Sequence, residues 1–334
     1  MRDGAGRARG SSNDTLFVFP VDRENGLLTV QGREYRGELL VWRGAEGLTV
    51  VNAIDLESYL RGVVPLEMGP QPAQTVEALK AQAVAARSYT LATMGRWRSD
   101  GFDLLATVED QVYGGSAKEK AVCSDAIEET RGVVLSYQHF PVRAFYSSTC
   151  GGATAGPDEV WKRPRVEYLE TVRDRTKRVS EPFCGMSPRF EWTEEWTGSE
   201  LDRILEGTLK RRDSSWSRAR YGRLTGISIE ERGPSRRVAD LRLSFEKGHV
   251  DLGGDEIRWV LRKTSGEGLR SALLTKVQVT KRKGRVAQVR ISGRGYGHGV
   301  GMCQFGAMGM AKVGYDHTQI LRFYYRGASL VRAY

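Results

Sequence analysis

The amino-acid sequence predicts an α+β protein in which mixed strands surround a long alanine-rich helix, with a lateral α/β portion bordering a substrate cleft. Short alternating strand patterns fill residues 15–52, and one long helical pattern covers residues 74–97. Further strands and helices follow up to the carboxyl end. Strands and helices that come in separate runs are typical of this fold class.

Composition limits the classes of function. A chain of 334 residues is long enough for one large domain or two smaller ones. Its 51 Lys and Arg against 41 Asp and Glu give a net charge of +10, which favours a polyanionic partner such as nucleic acid, anionic membrane or an acidic cell-wall polymer. Zinc-finger spacings and RNP-type aromatic motifs are absent, so no nucleic-acid partner is predicted. The sequence has no run of eighteen apolar residues that would predict a membrane span.

The amino-terminal part predicts a flexible tail, strands and two helices. The opening MRDGAGRARGSSND, residues 1–14, has no apolar core, so it predicts a polar tail and not a signal peptide. LFVFPV, GLLTVQG, YRGELLVW and LTVVNA predict a β-meander that leads into a helix, ESYLRGVV. The breakers in PLEMGP, residues 65–70, predict irregular structure. Arg87 lies in the long helix over residues 74–97, where it either pairs with a buried carboxylate or extends to the surface.

The remaining segments predict a hairpin, a lateral portion and a closing helix. Residues 125–131 continue a helix to Gly132, and VVLSY, QHFP and VRAFYSST predict a hairpin that brings Tyr146, Ser147 and Ser148 to a strand end. GISIEER, VADLRLSF and KVQVT predict strands after a helix near 199–210. A helix over 302–313 and TQILRFYY follow. The predicted organisation is a tail (1–14), a catalytic core (15–190), a lateral α/β portion (191–285) and a glycine-rich part that completes the core (286–334).

Glycine occupies every second position over residues 293–301, within GRGYGHGVGMCQFG. This alternation predicts an extended segment whose backbone another group approaches closely. The opposite face then carries Arg294, Tyr296, His298 and Val300. A flexible glycine-rich loop is the alternative. The spacing does not fit the dinucleotide or nucleotide-phosphate motifs.

The cysteines and one glutamate are candidates for chemistry. Cys123 lies in a helical pattern and is predicted to be buried. Cys150 and Cys184 lie in loop-like sequence, where a disulfide, free thiols and a thiolate–metal site all stay open. Without HExxH or Cys-x-x-Cys, no catalytic metal is predicted. Glu67 follows VVPL, an apolar surrounding that would raise its pKa as a general acid requires, although a surface carboxylate is the alternative.

Several segments occur in order between residues 55 and 325: YLRGVVPLEMG, EALKAQAVAARSYTLA, DQVYGG, AFYSSTCGGAT, VW, YLETVRD and GRGYGHGVGMCQFG. Together they closely resemble the stage II sporulation protein D/amidase-enhancer family, of the SpoIID/LytB type. The resemblance implies a peptidoglycan lytic transglycosylase, which cleaves the MurNAc–GlcNAc β-1,4 bond with a single Glu acid/base and forms 1,6-anhydroMurNAc ends. The alternative within this family is a non-catalytic enhancer of an N-acetylmuramoyl-L-alanine amidase.

The resemblance also implies the site residues. The catalytic glutamate falls on Glu67, and the glycine-rich segment would let a glycan lie against its backbone amides. The implied substrate-binding residues are Arg87, Ser88, Tyr89, Gln111, Tyr113, Tyr146, Ser147, Ser148, Tyr296, His298, Met302 and Gln304. Two positions depart from the usual pattern, because Cys303 and Cys150 stand where serine is common.

Cys150 together with Cys184 resembles a subset of the family in which two loops are held together, by a disulfide or by a metal. No cofactor is expected. The implied partners are peptidoglycan glycan strands and a cell-wall amidase, and the implied location is the cell envelope after export. The oligomeric state is not predicted.

Overall fold

The computed structural model describes residues 15–23, 25–44, 47–176 and 181–334, so the predicted tail over residues 1–14 lies outside the described residues. Helices make up 33% and strands 30% of the chain, which confirms the α+β class. The chain divides into two compact units, Met1–Val134 with Val331–Tyr334, and Leu135–Leu330. This division falls at 134/135, whereas the sequence-based boundaries were placed at 190/191 and 285/286.

The strands of the first unit form two small antiparallel sheets. In chain order they are β1 (Leu16–Val18), β2 (Leu28–Val30), β3 (Arg33–Tyr35), β4 (Glu38–Gly44) and β5 (Gly47–Ala53). β4 pairs with both β1 and β5, while β2 and β3 form a separate hairpin. The predicted strands therefore exist, but they do not form one meander. A tight turn at Gln31 and Gly32, both at positive φ, joins β2 to β3 in this hairpin.

Three helices complete the first unit: α1 (Leu56–Met68), α2 (Val76–Thr93) and α3 (Ala121–Glu129). α2 confirms the alanine-rich helix, and α3 confirms that Cys123 is buried. The prediction of irregular structure over residues 65–70 is wrong for its first four residues, because α1 continues through Pro65. An interior proline disfavours a helix, but tertiary packing buries Pro65 together with most of the apolar residues of α1. The helix ends at Gly69, whose N–H donates to the Pro65 carbonyl.

The second unit begins within a hairpin. Its first elements are β6 (Val133–Tyr137), which starts at the end of the first unit, β7 (Phe140–Pro141), β8 (Tyr146–Ser147) and α4 (Pro157–Trp161). Gln138 and His139 have positive φ and form the predicted turn between β6 and β7. VRAFYSST is not the second strand of this hairpin, however, because β7 is only two residues long and β8 pairs elsewhere.

The lateral portion has two antiparallel three-stranded sheets. Its elements are β9 (Glu191–Thr197), α5 (Gly198–Arg212), α6 (Arg218–Tyr221), β10 (Leu224–Arg232), β11 (Val238–Phe245), β12 (Gly248–Gly253), α7 (Glu256–Val260), β13 (Leu274–Arg282) and β14 (Arg285–Arg294). β10, β11 and β12 form one sheet, and β14 lies between β13 and β9 in the other. One apolar core, which includes Trp196, Leu205 and Leu241, joins both sheets to α5. The predicted helix and three strands of this portion are confirmed.

The chain closes with β15 (Met302–Cys303), α8 (Gln304–Lys312), α9 (His317–Tyr324) and β16 (Ser329–Arg332). β15 pairs in parallel with β8, so that Met302 faces Tyr146 and Cys303 faces Ser147. This pairing places the AFYSSTCGGAT segment next to the GRGYGHGVGMCQFG segment, both of which the sequence analysis singled out. Among the described helices, none is long and apolar enough to cross a bilayer.

Candidate functional site

Glu67 lies in the last turn of α1 and is partly buried. It follows Val63 and Val64 by four and three residues, so it lies on the same side of the helix as these two side chains. Both valines are fully buried. The residue before it, Leu66, is 40% exposed and points to a different side. Glu67 therefore stands at the edge of an apolar face, and its role as a proton donor stays a prediction.

Arg87 lies at the centre of the first unit and is fully buried. Its Nη2 and Nε donate to the two carboxylate oxygens of Glu57, at 2.6 and 3.0 Å. Further donations reach the carbonyls of Val133 and Ile127. Of the two alternatives for Arg87, the buried pair with a carboxylate is confirmed. Its direct contact with a substrate stays a prediction, and its hydrogen bonds give it a role inside the fold.

Glu57 was not singled out by the sequence, although it lies in the first turn of the predicted helix ESYLRGVV. Burial by itself raises the pKa of its carboxyl group, but hydrogen bonds from Arg87, the Tyr334 hydroxyl and the Gly132 amide outweigh this effect and lower the pKa below its ordinary value. The ionised pair therefore stabilises the folded chain above that pKa.

The other predicted residues of the first unit are bonded within the protein. The Ser88 hydroxyl donates to the Val84 carbonyl at 2.6 Å. Gln111 Nε2 donates to the Thr90 hydroxyl at 2.8 Å, and the Tyr113 hydroxyl donates to Asn52 Oδ1 at 2.9 Å. Tyr89 is buried as well. Ser88 and Tyr89 belong to α2 and Gln111 is bonded to it, whereas the Tyr113 ring lies 5.1 Å from that of Tyr59 in α1, measured between ring centroids. Their contact with a substrate stays a prediction.

The glycine-rich segment is not extended. Four of its glycines have φ values between 72° and 105°, namely Gly295, Gly297, Gly299 and Gly301. A close backbone approach does exist, but the approaching groups belong to the protein. A Cβ on Gly299 would collide with the Arg237 guanidinium, and one on Gly301 with the Phe145 carbonyl. The prediction of an extended segment is therefore wrong, whereas its contact with a ligand stays a prediction.

The amides of this segment are also engaged. Tyr296 N–H donates to the Thr149 carbonyl and Gly297 N–H to the Arg270 carbonyl, both at 2.8 Å. The Gly295 amide donates to the Phe190 carbonyl, also at 2.8 Å. These three N–H groups cannot serve as the glycan-binding surface that the resemblance implied. They instead anchor the segment to neighbouring loops.

His298 has a defined environment in the second unit. Its Nδ1 accepts a hydrogen bond from the Val300 N–H at 3.0 Å, which makes Nε2 the protonated nitrogen of the neutral ring. Trp161 and Phe145 lie 5.1 and 6.2 Å from it, measured between ring centroids. Burial lowers the pKa of His298 to about 4, and the nearby Asp255 carboxylate offsets only part of this effect. The ring is therefore neutral at neutral pH.

This environment predicts a specific loss of stability in acid. The unfolded chain, with His298 near its ordinary pKa of about 6.5, binds a proton that the folded chain does not bind until about pH 4. The free energy of unfolding should then fall as pH falls between these values, by at most about 1.4 kcal/mol per pH unit. Urea unfolding at several pH values should show a shallower fall for His298→Gln than for wild type.

The matched control is His249→Gln, because His249 is exposed beside Asp251. This substitution should leave the slope unchanged. Equal slopes for wild type and His298→Gln would contradict the assignment of a neutral, partly buried imidazole.

The other predicted residues of the second unit differ in exposure. Tyr296 is 38% exposed, with the Arg189 guanidinium 4.6 Å above its ring, while Tyr146 and Ser148 are partly buried. Three more are buried, namely Ser147, Met302 and Gln304. The Ser147 hydroxyl has no hydrogen-bond partner among the residues that the structure describes. The sequence missed Trp161, whose only signal was its place in the VW segment.

Three thiols and one carboxylate lie close together in the second unit. The Sγ atoms of Cys150 and Cys184 lie 3.6 Å apart, and Cys303 Sγ and an Asp174 oxygen complete a buried group whose four ligand atoms all lie within 4.8 Å of one another. The sequence indicated the pair Cys150 and Cys184. It did not indicate the other two as partners, because the four residues come from separate parts of the chain.

Hydrogen bonds hold this group in place. Cys303 caps α8, and its Sγ accepts from the amides of Gly306 and Cys150 at 3.3 and 3.1 Å. Burial raises the pKa of a thiol, but here hydrogen bonds from Cys150 and Cys184 bring the pKa of Cys303 down to about 6. Burial raises the pKa of Asp174 well above its ordinary value. These residues could hold a metal ion, since thiolate and carboxylate are metal ligands.

Comparison with known proteins identifies the family to which the chain belongs. Residues 44–137 match the family described as Stage II sporulation protein, and residues 155–301 match a Domain of unknown function (DUF8618). Stage II sporulation protein D of Bacillus subtilis (strain 168) is 31% identical over 299 residues, which cover 85% of this chain and 76% of that protein. The chain belongs to the stage II sporulation protein D family.

Two further relatives of this SpoIID-family chain differ in how far the likeness extends. The Amidase enhancer of Bacillus subtilis (strain 168) is 33% identical over 304 residues, covering 81% of this chain but 40% of that protein. An uncharacterized protein of Brachyspira hyodysenteriae is 30% identical over 309 residues, covering 91% of this chain and 74% of that protein. Glu67, Arg87 and Tyr113 lie within the segment that matches the SpoIID family.

Proposed function

We propose that this SpoIID-family chain is a peptidoglycan lytic transglycosylase that cleaves the MurNAc–GlcNAc β-1,4 bond and leaves 1,6-anhydroMurNAc ends. The observation that carries the proposal is the position of Glu67, a partly buried carboxyl group at the end of α1 beside buried valines.

One carboxyl group is sufficient for this reaction. Glu67 donates its proton to the glycosidic oxygen as the bond from that oxygen to C1 of MurNAc breaks. The Glu67 carboxylate then accepts the proton of the C6 hydroxyl of the same sugar, while O6 forms a bond to C1 and closes the anhydro ring. Hydrolytic glycosidases need a second carboxylate to activate water or to act as nucleophile. The C6 hydroxyl belongs to the same sugar, so the reaction needs no second carboxylate for either role. The high effective molarity of this hydroxyl also raises the rate of ring closure.

The second unit offers its own sugar-binding candidates. Trp161 and Tyr296 are both partly exposed, and an aromatic face can stack on a sugar ring as an apolar surface. The net charge of +10 suits a wall polymer that carries carboxylates. On this proposal the protein acts in the cell envelope after export, with glycan strands as its substrate.

A second candidate function is supported by one observation, the 33% identity to the Amidase enhancer of Bacillus subtilis. In that case the chain binds glycan without cutting it and stimulates a cell-wall amidase. This function needs no proton donor, so Glu67 would be dispensable. The two candidates therefore differ in whether any glycosidic bond breaks.

Product analysis separates the two candidates. Purified protein is incubated with glycan strands stripped of their peptides and, in parallel, with intact sacculi, and the soluble products are analysed by mass spectrometry. The transglycosylase proposal predicts anhydro-ended fragments from at least one substrate without any added amidase. If the protein sediments with sacculi but releases no fragments from either substrate, the result contradicts the transglycosylase proposal and favours the enhancer.

A further inference from the structure

We propose that Cys150, Cys184, Cys303 and Asp174 form a structural site for one tetrahedral divalent metal ion of the zinc class. All four side chains are buried and offer one ligand atom each, within 4.8 Å of one another. Three sulfurs and one carboxylate oxygen form a complete donor set for such an ion. Because no ligand position is left for water or substrate, the site is structural.

The sulfur spacing favours a metal over a disulfide. A tetrahedral zinc ion with Zn–S bonds of about 2.3 Å separates two of its sulfurs by about 3.8 Å. The sulfurs of a disulfide lie about 2.0 Å apart. The separation of 3.6 Å between Cys150 and Cys184 matches the metal-bound geometry. A disulfide between these two would also leave Cys303 Sγ and the Asp174 carboxylate buried beside it with no shared function.

The surroundings of the four residues are those of a metal site. Metal ligands are oriented by hydrogen bonds from neighbouring groups. Asp174 Oδ1 accepts from the Tyr324 hydroxyl at 2.6 Å, and Oδ2 accepts from the Cys184 amide at 2.8 Å. Cys303 Sγ accepts from two backbone amides, as described above. These contacts fix both ligands while leaving lone pairs free for an ion.

The charges of the four ligands and of Arg237 also favour a bound metal ion. Three thiolates, one carboxylate and a divalent cation carry a net charge of −2. Arg237 is buried next to this group, where Nη2 donates to the Cys150 carbonyl at 2.8 Å and Nη1 to the Ala153 carbonyl at 3.0 Å. Within the described parts of the chain, no hydrogen bond joins this guanidinium to a carboxylate, and its Nε has no partner. A buried cation needs nearby negative charge, and the occupied site would add its charge to that of the Glu159 and Asp255 carboxylates.

The ion would fix several separate segments at once. Cys150 precedes the Gly151–Gly152 turn, Cys184 lies in the 3-10 helix Phe183–Met186, and Cys303 begins α8. Asp174 lies before the part of the chain that the structure does not describe. Such a site ties the β8–β15 pair to the loop that follows α4. This inference does not rest on the proposed transglycosylase activity, because its readouts are metal content and spectra.

The first test uses the intact wild-type chain. Purified from zinc-containing medium without chelator, it should carry about one zinc ion per chain by elemental mass spectrometry. After zinc removal, added Co²⁺ should give the intense visible bands of a tetrahedral site and the near-ultraviolet bands of cobalt–thiolate bonds. Alkylation in denaturant and chelator, without reductant, should modify all four cysteines. A Cys150–Cys184 disulfide, detected as only two alkylated cysteines in chains without metal, would overturn the proposal.

Variants then test each ligand. Cys303→Ser should lose most of the bound zinc and the cobalt spectrum, whereas Cys123→Ser, the matched control at a buried cysteine outside the group, should retain both. Tyr324→Phe keeps all four ligands but removes the hydrogen bond to Asp174, so its zinc affinity should fall about 10-fold or more. This variant remains informative if Cys303→Ser fails to fold. Unchanged zinc affinity in both variants would contradict the site.

Discussion

Glu67→Gln will reduce the release of anhydro-ended fragments from glycan strands to the background level. Glutamine keeps the size of the side chain and its place at the end of α1, but it cannot donate the proton that cleavage of the glycosidic bond requires. The loss of a general acid lowers a rate by about 10²–10⁴-fold. Because Glu67 is only partly buried, the variant should unfold at the same urea concentration as wild type. The measurement is the initial rate of anhydro-product formation.

Two further variants make this result specific. Glu128→Gln changes an exposed glutamate of the same unit, which pairs with Arg131, and should retain full activity. Glu67→Asp keeps the carboxyl group but shortens the side chain, and displacement of a reacting group by 1 Å is enough to lower a rate by about 10²-fold. Wild-type rates in Glu67→Gln would eliminate the proposed mechanism.

Arg87→Met will produce the largest loss of stability that the structure predicts. Methionine fills much of the space but leaves the buried Glu57 carboxylate without its cation. Breaking a buried ion pair by removing one partner costs about 3–5 kcal/mol. The measurement is the free energy of unfolding in urea. The transition of the Arg87→Met variant should therefore move to much lower urea concentration, or the chain should fail to accumulate in a folded form.

The matched control is Arg242→Met, which breaks an exposed bidentate pair with Asp251 and should cost less than about 1 kcal/mol. The double variant Glu57→Gln/Arg87→Met removes both charges and should recover part of the loss. The pH dependence gives a second readout, because the Glu57 pKa is lowered in the folded state. Its stabilisation is therefore present above the unfolded pKa and lost as pH falls through the folded value. Equal losses in Arg87→Met and Arg242→Met would contradict this account.

Much of the fold could be predicted from local patterns. The helical period over residues 74–97 corresponds to α2, and the alternation in GISIEER and VADLRLSF corresponds to β10 and β11. The errors arose where a distant contact overrode a local signal. Pro65 did not end α1, because the tertiary fold buries this part of the helix. Tyr146 and Ser147 did not extend the hairpin, because they pair with residues more than 150 positions away.

The candidate site could be predicted only in part, because tertiary contacts determine the partners of its residues. The place of Arg87 in an alanine-rich helix left a buried pair and extension to the surface both open, and only the fold could identify Glu57 as its buried partner. The glycine alternation correctly indicated close backbone approach. It could not show that Arg237 and Phe145 approach the backbone in place of a ligand. Likewise, Asp174 and Cys303 join Cys150 and Cys184 only through tertiary structure.

The source of the oxygen at the newly formed glycan ends tests the central claim most directly. Wild-type protein is incubated with peptide-stripped glycan strands in water enriched in ¹⁸O, and the fragment ends are analysed by mass spectrometry. If Glu67 transfers the proton of the sugar's own C6 hydroxyl, the new ends will be 1,6-anhydro sugars that contain no ¹⁸O. Reducing ends labelled with ¹⁸O would show attack by water and contradict the single-carboxylate mechanism.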